Sequence, residues 1–481
     1  MSNQAQALED PVQCNGEHNN PEPTLTYLAA RRLEKIRNSK LTPAVEEKAT
    51  LCLLDYLGAL VSGLSTPWSA ALLKYAQGAS SGRGDAHVMG LKSLVSADVA
   101  AFTNAALAHS IIRDDMHLAA GAHIGVMVIP TALALAQRDD WTGEQLLKGI
   151  VGGYELAVAL GSAVRHAGLC NPHFRPSGMI GAFGAAAPGI VADASMSTSV
   201  AASALSLGAN MGAGLNEWPW AGGTEINTQM GICSRNGISA LDLARAGIYS
   251  SDTVLEGKDG FFLAYGCGPG SVEEFRNWLA TTDPGAGITG ARFKPVAGCN
   301  MIQTPLAVAL NLAPQIHGSG QNIESIGIVT TTAAKDYPGC DSSGPFEKVQ
   351  QTKMSLQYGV SAALLFGRID EFAYIQYDNG DLQSLIRKCT LATDVKYDGA
   401  LSRGEQPCRI EIRNQDGTVY QHSLADVPWL EGEAVESRFR KEAAAIFDPN
   451  TVDQMLGECR RLKDAKTCAR LFELLALQTW R

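Results

Sequence analysis

The sequence predicts a mainly α protein in which an all-helical domain, built from both ends of the chain, is interrupted by a smaller α+β domain. Apolar residues recur at helical spacing almost throughout residues 24–284. Segments typical of β-strands appear in residues 285–425, and helical spacing returns in residues 426–481. Residues 1–23 are polar and acidic, so we expect them to form a disordered tail.

Two capping signals mark helices in the first helical part. Ser96 precedes a segment whose apolar residues repeat with helical period, which is the pattern expected after an N-cap serine. Thr142 and Gln145 have the spacing of a capping box, and the segment behind them is strongly apolar. Helices are therefore predicted to begin at both places.

The middle segment contains the predicted strands and one amphipathic helix, Lys353–Phe366. Strands are predicted at Ile323–Thr332, Cys408–Ile412 and Thr418–His422, and Asp416-Gly417 between the last two is a hairpin signal. Beyond this segment, the predicted helices are Glu433–Phe447 and Thr451–Cys459.

Charge and composition exclude several classes of protein. The 481 residues carry a formal net charge of −10, which disfavours nucleic-acid and anionic-membrane partners because those need a basic surface. The eleven cysteines include no CxxC pair, so neither a disulfide framework nor a zinc site is indicated. The N-terminal residues lack a signal-peptide pattern, and apolar runs such as Val126–Ala136 are too short to cross a bilayer. We expect a cytoplasmic protein with no membrane partner.

The densest polar cluster is Asp114-Asp115-Met116-His117, followed closely by His123. Two carboxylates and two imidazoles this close together suit proton transfer near neutral pH. One alternative is a solvated loop whose aspartates cap the next helix. Another is a divalent metal site, although the spacing fits no standard metal motif. We predict catalytic roles for Asp114, Asp115, His117 and His123, and no metal ligands.

Three further segments contain candidate binding residues. His173 and Arg175 precede a helix rich in small residues, whose N-terminus would favour a carboxylate or phosphate; a plain loop is the alternative. Arg235 could pair with a carboxylate of the substrate or of the protein itself. Cys299 could be a nucleophile, but a buried inert cysteine is the more frequent outcome.

Together these segments resemble the MmgE/PrpD family, which includes 2-methylcitrate dehydratase, cis-aconitate decarboxylase and iminodisuccinate epimerase. The resemblance extends over roughly Leu25 to Phe447, in the order expected for the family. The segments that carry it are Asp114-Asp115-x-His117-x5-His123, Gly153-Tyr154-Glu155, Gly231–Gly237, Leu255-Glu256-Gly257, Gly260-Phe261, Lys294-Pro295 and the Cys408–His422 hairpin. The resemblance implies an all-helical domain from both chain ends, an inserted α+β lid, a homodimer, and cofactor-independent proton transfer next to a carboxylate.

The resemblance also implies roles for individual residues, and this sequence departs from the family at several of them. His123 falls on the family's catalytic histidine, with Asp114, Asp115 and His117 beside it. The residues at positions where family members carry acidic, lysine or histidine side chains are Ile112, Arg175, Ile226, Met230 and Gln303. Because unpaired buried charges are costly, a site without the family's lysine would bind a tricarboxylate poorly.

We therefore expect a less charged, more apolar acid or ketone as substrate, such as a secondary-metabolite intermediate. In this hypothesis His123 is the general acid or base, and His117 or Asp114 orients it. Arg175 holds a carboxylate or enolate, and Gln303 hydrogen-bonds the substrate. The other predicted substrate-binding residues are His173, Arg235, Ile226, Met230 and Ile112.

The predicted function is a cofactor-independent and metal-independent lyase of the dehydratase or decarboxylase type. An isomerase, epimerase or cyclase would need the same proton chemistry without a leaving group, so the residues leave that alternative open. A catalytically inactive binding protein is a third hypothesis, because several charged residues of the family are missing. The retained cluster from Asp114 to His123 argues against it.

Overall fold

The structure is a computed structural model that describes residues 22–79, 84–169, 171–316 and 320–476. Within these residues the chain is mainly helical with a small mixed sheet, which confirms the predicted fold class at that level. The predicted tail, residues 1–23, lies outside the described residues except for its last two.

Helices form most of the chain before and after the middle segment. In the first part they are α1 (Leu25–Asn38), α2 (Pro43–Gly63), α3 (Ser69–Ala79), α4 (Ala97–His109), α5 (Gly125–Arg138), α6 (Gly143–Val164), α7 (Pro176–Ala192), α8 (Thr198–Asn210), α9 (Trp218–Ala221), α10 (Glu225–Arg245), α11 (Phe261–Ala264) and α12 (Pro269–Thr281). In the middle segment they are α13 (Gln303–Leu312), α14 (Thr332–Asp336), α15 (Val349–Thr352), α16 (Leu356–Phe366), α17 (Glu371–Tyr374), α18 (Gly380–Arg387) and α19 (Val395–Leu401). The C-terminal helices are α20 (Gly432–Ala443), α21 (Pro449–Arg460) and α22 (Ala469–Ala476).

Six strands form two sheets within the described residues. They are β1 (Met116–His117), β2 (Ala291–Arg292), β3 (Ile323–Thr330), β4 (Cys389–Thr393), β5 (Cys408–Asn414) and β6 (Val419–Leu424). Strands β1 and β2 pair with each other, and the larger sheet has the order β4-β3-β5-β6 with only β3 and β4 parallel. The β5–β6 hairpin confirms the turn predicted at Asp416-Gly417, where Gly417 has a positive φ of 87°.

The capping signals have different outcomes. Thr142 and Gln145 form the predicted capping box at the start of α6, because each side chain bonds the other's backbone. Ser96 does occupy the N-cap of α4, but its hydroxyl makes no capping hydrogen bond. The predicted helix at Lys353–Phe366 begins three residues later, at Leu356, where the hydroxyl of Ser355 caps it.

Two hydrophobic cores organise the chain. The large core joins buried residues between Leu25 and Phe293 with residues between Val435 and Leu475, so both chain ends contribute to it. The small core contains buried residues from Ala297 to Ile412. Three residues of the first helical part also belong to the small core: Ile112, Trp218 and Ile226. These three mark where the two cores meet. That the middle segment acts as a lid stays a prediction.

Helix α6 is long and apolar enough to cross a membrane, unlike the shorter runs considered from the sequence. However, 89% of its most apolar window is buried within the protein, as in a core helix of a globular domain. It packs against α7 without bulky side chains at the closest points; a Cβ atom at Gly184 would lie 2.8 Å from that of Ala157. This close packing positions the N-terminus of α7.

The cysteines depart from the sequence expectation at one position. Cys267 is disulfide-bonded, so the expectation of a chain without disulfides is wrong there. The free cysteines among the described residues are Cys52, Cys233, Cys299, Cys340, Cys389, Cys408, Cys459 and Cys468.

Candidate active site

The candidate site is built on the turn that follows α4. Ile112 in this turn has a positive φ of 51°, a conformation that is rare for a β-branched residue and stores strain. Its carbonyl oxygen accepts hydrogen bonds from the Lys294 ammonium at 2.9 Å and from the Gly298 backbone N–H at 3.2 Å. Lys353 likewise donates to the carbonyl oxygen of Ser110 at 2.9 Å. The strained turn is therefore held by Lys294, Gly298 and Lys353, which come after the first helical part in the sequence.

This turn places Asp114 between two imidazole rings. Oδ1 of Asp114 lies 2.9 Å from Nδ1 of His109, and Oδ2 lies 3.1 Å from Nδ1 of His123. Burial alone would raise the pKa of Asp114, but the two histidines outweigh it and hold that pKa well below its usual value. Asp114 is therefore a buried carboxylate anion that orients both rings.

The hydrogen-bond partners determine the tautomer of each ring. Nδ1 of His123 lies 2.9 Å from the backbone carbonyl of Asp115, which can only accept, so this nitrogen carries the proton. Nε2 of His123 has no hydrogen bond to another described residue and is a free acceptor in the neutral ring. Burial lowers the pKa of His123, and Lys294 lowers it further, so the resting ring is a base.

His109 is occupied at both nitrogens. Its Nε2 lies 2.7 Å from Nη2 of Arg175, which can only donate, so Nδ1 carries the proton and donates it to Asp114. Burial is the largest cause that lowers the pKa of His109, to about 3. His109 therefore stays neutral and links Arg175 to Asp114. Unlike His123, it has no ring nitrogen left to accept a proton.

Arg175 and Lys294 are buried cations that make no ion pair with a described carboxylate. Arg175 is the N-cap of α7, is 6% exposed, donates to the carbonyl of Ile226 at 3.1 Å and lies over the Trp218 ring. Lys294 is 0% exposed and donates only to backbone carbonyls. Burial lowers the pKa of both groups. With Asp114 as the nearby carboxylate anion, the site has excess positive charge.

The α7 N-terminus adds to this field. The hydroxyl of Ser177 in its first turn accepts a hydrogen bond from the backbone N–H of His123 at 3.0 Å. The helix dipole therefore points its positive end towards the same region as Arg175 and His123. A carboxylate is the kind of group that such an arrangement attracts.

Several buried polar atoms next to the cations have no partner among the described residues. They include Nε1 of Trp218 and Oε1 of Gln303. Gln303 does donate through Nε2 to the carbonyls of Gly298 at 3.2 Å and Cys299 at 3.3 Å. Buried polar atoms are rarely left unpaired, so these are candidate contacts for a bound molecule.

The side chains of two predicted catalytic residues make other contacts. The Asp115 carboxyl accepts hydrogen bonds from the Tyr154 hydroxyl at 2.6 Å and from the Gly125 backbone N–H at 2.9 Å. It therefore holds the start of α5. His117, in β1, packs against the turn that precedes β2, and its Nδ1 accepts a hydrogen bond from the Ala120 N–H at 3.3 Å. Burial lowers the pKa of His117 to about 4. Asp114, not His117, orients His123.

The predicted substrate-binding residues also separate. Arg175, Ile112 and Ile226 lie where the two cores meet. His173 is exposed at the surface, although it is only two residues from Arg175. Arg235 lies over the Phe102 ring of α4. Met230 is one helical turn after Ile226, but it belongs to the large core. Residues four apart lie on the same face of a helix, so Ile226 and Met230 differ in position along the axis of α10, and Ile226 is the one that reaches the small core.

Sequence reasoning assigned no role to four residues of this site. His109 gave no signal beyond its place near Asp114, and Lys294 appeared only as part of a family segment. Tyr337 has a hydroxyl with no hydrogen bond to a described residue, and it interacts electrostatically with Arg175. Cys299 interacts with the same arginine and with Lys294. His109 and Tyr337 come from separate parts of the chain, and Lys294 and Cys299 share a third segment.

The site is closed around its reacting groups, since the His123 side chain is 12% exposed. A cavity of about 600 Å³ elsewhere is lined by Asp98, Arg138 and Asp242, and contains no residue of the Asp114 cluster. Within the described ranges no three His, Cys, Asp or Glu side chains are arranged to hold a metal ion.

Asp115 predicts a pH dependence of stability. Burial raises its pKa from 3.8 to about 7, so between these values the folded protein holds a proton that the unfolded chain has lost. Its contribution to stability therefore falls as the pH rises through this window. Asp115→Asn should stabilise the protein relative to wild type by roughly 2–4 kcal/mol at pH 8 and by much less at pH 5, at about 1.4 kcal/mol for each pKa unit. Denaturant unfolding at both pH values checks this, and an equal effect at both would contradict it.

Comparison with known proteins gives two family matches and one full-length relative. The model of the MmgE/PrpD N-terminal domain matches residues 29–272, and that of the MmgE/PrpD C-terminal domain matches residues 297–454. The chain is 24% identical over 482 aligned residues to the cis-aconitate decarboxylase-like protein oryM of Aspergillus oryzae, and the alignment covers 95% of this chain and 98% of that protein. The interval between the two family matches contains Lys294.

Proposed function

This chain belongs to the MmgE/PrpD family, and on that basis we propose that it is a lyase of the dehydratase or decarboxylase type. One observation carries the proposal: Nε2 of His123 is a free base beside Arg175 and Lys294, two buried cations without a carboxylate partner. Such a pair of cations would stabilise the negative charge that develops when a proton leaves a carbon next to a carboxylate.

The surroundings of the cations support a substrate that is less charged than a tricarboxylate. Ile112, Trp218 and Ile226 present apolar surface where the two cores meet, and the Trp218 ring lies against Arg175. Two cations match at most two carboxylates, and an apolar group would fill the remaining surface. We propose an acid with an apolar substituent, of the kind found in secondary metabolism. Lys294 belongs to a family segment that this chain retains, and it supplies a second buried cation although the family's lysine before the Arg-Asn-Gly segment is replaced by Ile226.

In the proposed reaction, Nε2 of His123 takes a proton from the carbon beside the carboxylate, and the electron pair remains as an enolate held by Arg175 and Lys294. Asp114 stabilises the imidazolium that forms. Loss of hydroxide as water completes a dehydration. In a decarboxylation the bond to the departing CO₂ breaks instead, and its electron pair takes up a proton. An isomerase would return the proton to the same carbon skeleton without loss of mass.

We propose that the reaction requires neither a metal ion nor an organic cofactor, because the sequence contains no recognisable cofactor motif. Dialysis against EDTA should leave turnover unaltered; loss of activity that a divalent ion restores would contradict this. The homodimer implied by the resemblance and the cytoplasmic location expected from the sequence stay predictions, the first checked by sedimentation of the purified protein.

The decisive experiment is mass spectrometry of the protein incubated in D₂O with a panel of acids. The panel contains cis-aconitate, 2-methylcitrate, and β-keto and α,β-unsaturated acids with alkyl substituents. We expect an alkyl-substituted acid to lose water or CO₂ and the tricarboxylates to react slowly. Preferred turnover of a tricarboxylate would refute the substrate proposal, deuterium uptake at unchanged mass would indicate an isomerase, and no reaction would favour an inactive binding protein.

Arg175→Met should raise KM for the acid that the panel identifies by about 10- to 100-fold, since a hydrogen bond to a charged group contributes about 1.5–3 kcal/mol. The matched control is Arg245→Met, whose guanidinium pairs with Asp193 at 2.9 Å at the surface and outside the site. Steady-state kinetics of both variants checks the prediction. Equal KM values for the two variants would show that Arg175 does not contact the substrate.

A further inference from the structure

Cys299 has a different environment from the other free cysteines of the described residues. It precedes the 3-10 turn Asn300–Ile302, which continues into α13. The neighbouring thiol of Cys340 lowers the pKa of Cys299 against the effect of burial, and the Met301 backbone N–H acts in the same direction. For the other described free cysteines burial raises the pKa: Cys52, Cys233, Cys340, Cys389, Cys408, Cys459 and Cys468.

Cys299 and His123 lie near the same two cations. Lys294 donates to the carbonyl of Gly298, the residue before Cys299, at 3.3 Å. Lys294 and Arg175 lower the pKa of the Cys299 thiol and also that of the His123 imidazole. His123 comes from the connection between α4 and α5, whereas Cys299 comes from the middle segment. Two groups that can exchange protons therefore reach the anion-binding region from different parts of the fold.

The backbone around Cys299 is held in place on both sides. Gly298 has a positive φ of 119° and donates its N–H to the strained Ile112, and a Cβ atom there would lie 2.4 Å from the Tyr374 hydroxyl oxygen. The Cys299 N–H donates to the carbonyl of Lys353 at 3.0 Å. Beside it, the buried Oε1 of Gln303 has no partner, which independently indicates a bound polar group at this point.

We propose that the thiol of Cys299 is a second proton-transfer group of this site, acting from the middle segment while His123 acts from the helical part. This proposal rests on the proposed function. In it, His123 accepts a proton as the base and Cys299 donates one as the acid.

The proton balance differs between the two lyase reactions. In a dehydration His123 takes the carbon-bound proton, the C–O bond breaks as the double bond forms, and the Cys299 S–H gives its proton to the departing hydroxide; the His123 imidazolium then reprotonates the thiolate. In a decarboxylation the C–C bond to CO₂ breaks, its electron pair stays on the carbon, and Cys299 protonates that carbon; His123 has taken no proton, so the thiolate is reprotonated from water. In both reactions the thiolate that forms is stabilised by the Cys340 thiol and the Met301 N–H.

The first test measures the ionisation of Cys299 without a substrate. The thiolate absorbance of the full-length protein is titrated with pH for wild type, Cys299→Ser and Cys340→Ala. Wild type should show a transition below the pKa of an ordinary thiol, Cys299→Ser should lack it, and Cys340→Ala should move it to higher pH. A transition that persists in Cys299→Ser, or one that Cys340→Ala does not move, would overturn the proposal.

The second test uses the acid that the panel identifies. Cys299→Ser should lower kcat by about 100-fold or more, which is the lower end of the range for loss of a general acid. KM should change little. Because the acid must be protonated, Cys340→Ala should move the high-pH limb of kcat upward, an effect that a merely structural role of Cys340 would not produce. Cys389→Ser in β4 is the matched control and should retain wild-type kcat.

The two proposals fail in different ways. If no acid in the panel reacts, the proposed function fails while the titration still decides whether Cys299 has the predicted ionisation. If an acid is turned over and Cys299→Ser retains wild-type kcat, the lyase proposal stands and the role of Cys299 is refuted.

Discussion

Replacing His123 by alanine should reduce kcat by about 10²–10⁴-fold, the range that a positioned general acid or base contributes. The expectation rests on geometry: Asp114 and the Asp115 carbonyl fix the Nδ1–H, so Nε2 points as a free base towards the region of Arg175 and Lys294. The fold should be retained, because the bond from the His123 backbone N–H to Ser177 does not involve the ring. Steady-state kinetics with the acid identified by the panel measures the loss.

The matched control is His166→Ala. His166 is exposed and forms an ion pair with Glu274 at 3.4 Å, outside the site. Its replacement should leave kcat unchanged, and circular dichroism should show the same helix content for both variants. If His123→Ala retained turnover within a few-fold of wild type, the base would have to be sought elsewhere.

The second large effect concerns Arg113, which lies between Ile112 and Asp114 in the turn. Its guanidinium is buried and pairs with Asp55 of α2 at 2.7 Å and with Glu442 of α20 at 3.0 Å. Arg438 of α20 also bonds Asp55 and the backbone carbonyl of Lys294. Helices from both ends of the chain thus meet directly beneath the site.

Arg113→Met should lower the free energy of unfolding by about 3–5 kcal/mol, because it leaves Glu442 without its buried partner and Asp55 with Arg438 alone. Turnover should fall as well, since the turn that positions Asp114 loses its anchor. Denaturant unfolding and kcat of the same preparation check both parts.

Arg440→Met provides the control, because Arg440 lies in α20, the helix that contributes Glu442 and Arg438 to the buried network. Arg440 pairs with Asp453 at the surface, where an ion pair contributes at most about 1 kcal/mol. Because both variants lose one arginine, a difference between their free energies of unfolding reflects the burial of the ion pair and not the loss of charge. A loss of stability for Arg113→Met no greater than for Arg440→Met would mean that the buried network is not a stabilising element.

Local features of the fold were predictable from the sequence. The capping box at Thr142 and the hairpin turn at Asp416-Gly417 depend on residues close together in the chain, and both are present. The short strand β4, by contrast, was not predicted, since its residues are mostly exposed and carry no alternating pattern. The family was also predictable, because its segments keep their order along the chain.

The assignment of individual polar residues was less predictable. Asp115 and His117 lie beside Asp114 in the sequence, yet their side chains meet Tyr154 and the turn before β2. Consecutive side chains leave the backbone in different directions, so proximity in sequence does not determine which of them share a site.

The sequence by itself determined the fold class and the family and placed Asp114 and His123 in one cluster, because each depends on local spacing or on the order of segments. Only the tertiary structure decided that Asp114 rather than His117 orients His123, and that His109, Lys294 and Cys299 join Arg175 beside them. Lys294 and Cys299 are close in sequence, but they are far along the chain from His109 and Arg175, and all four meet only where the large core packs against the small one. Their charges, burial and pKa values follow from that packing, which no local pattern encodes.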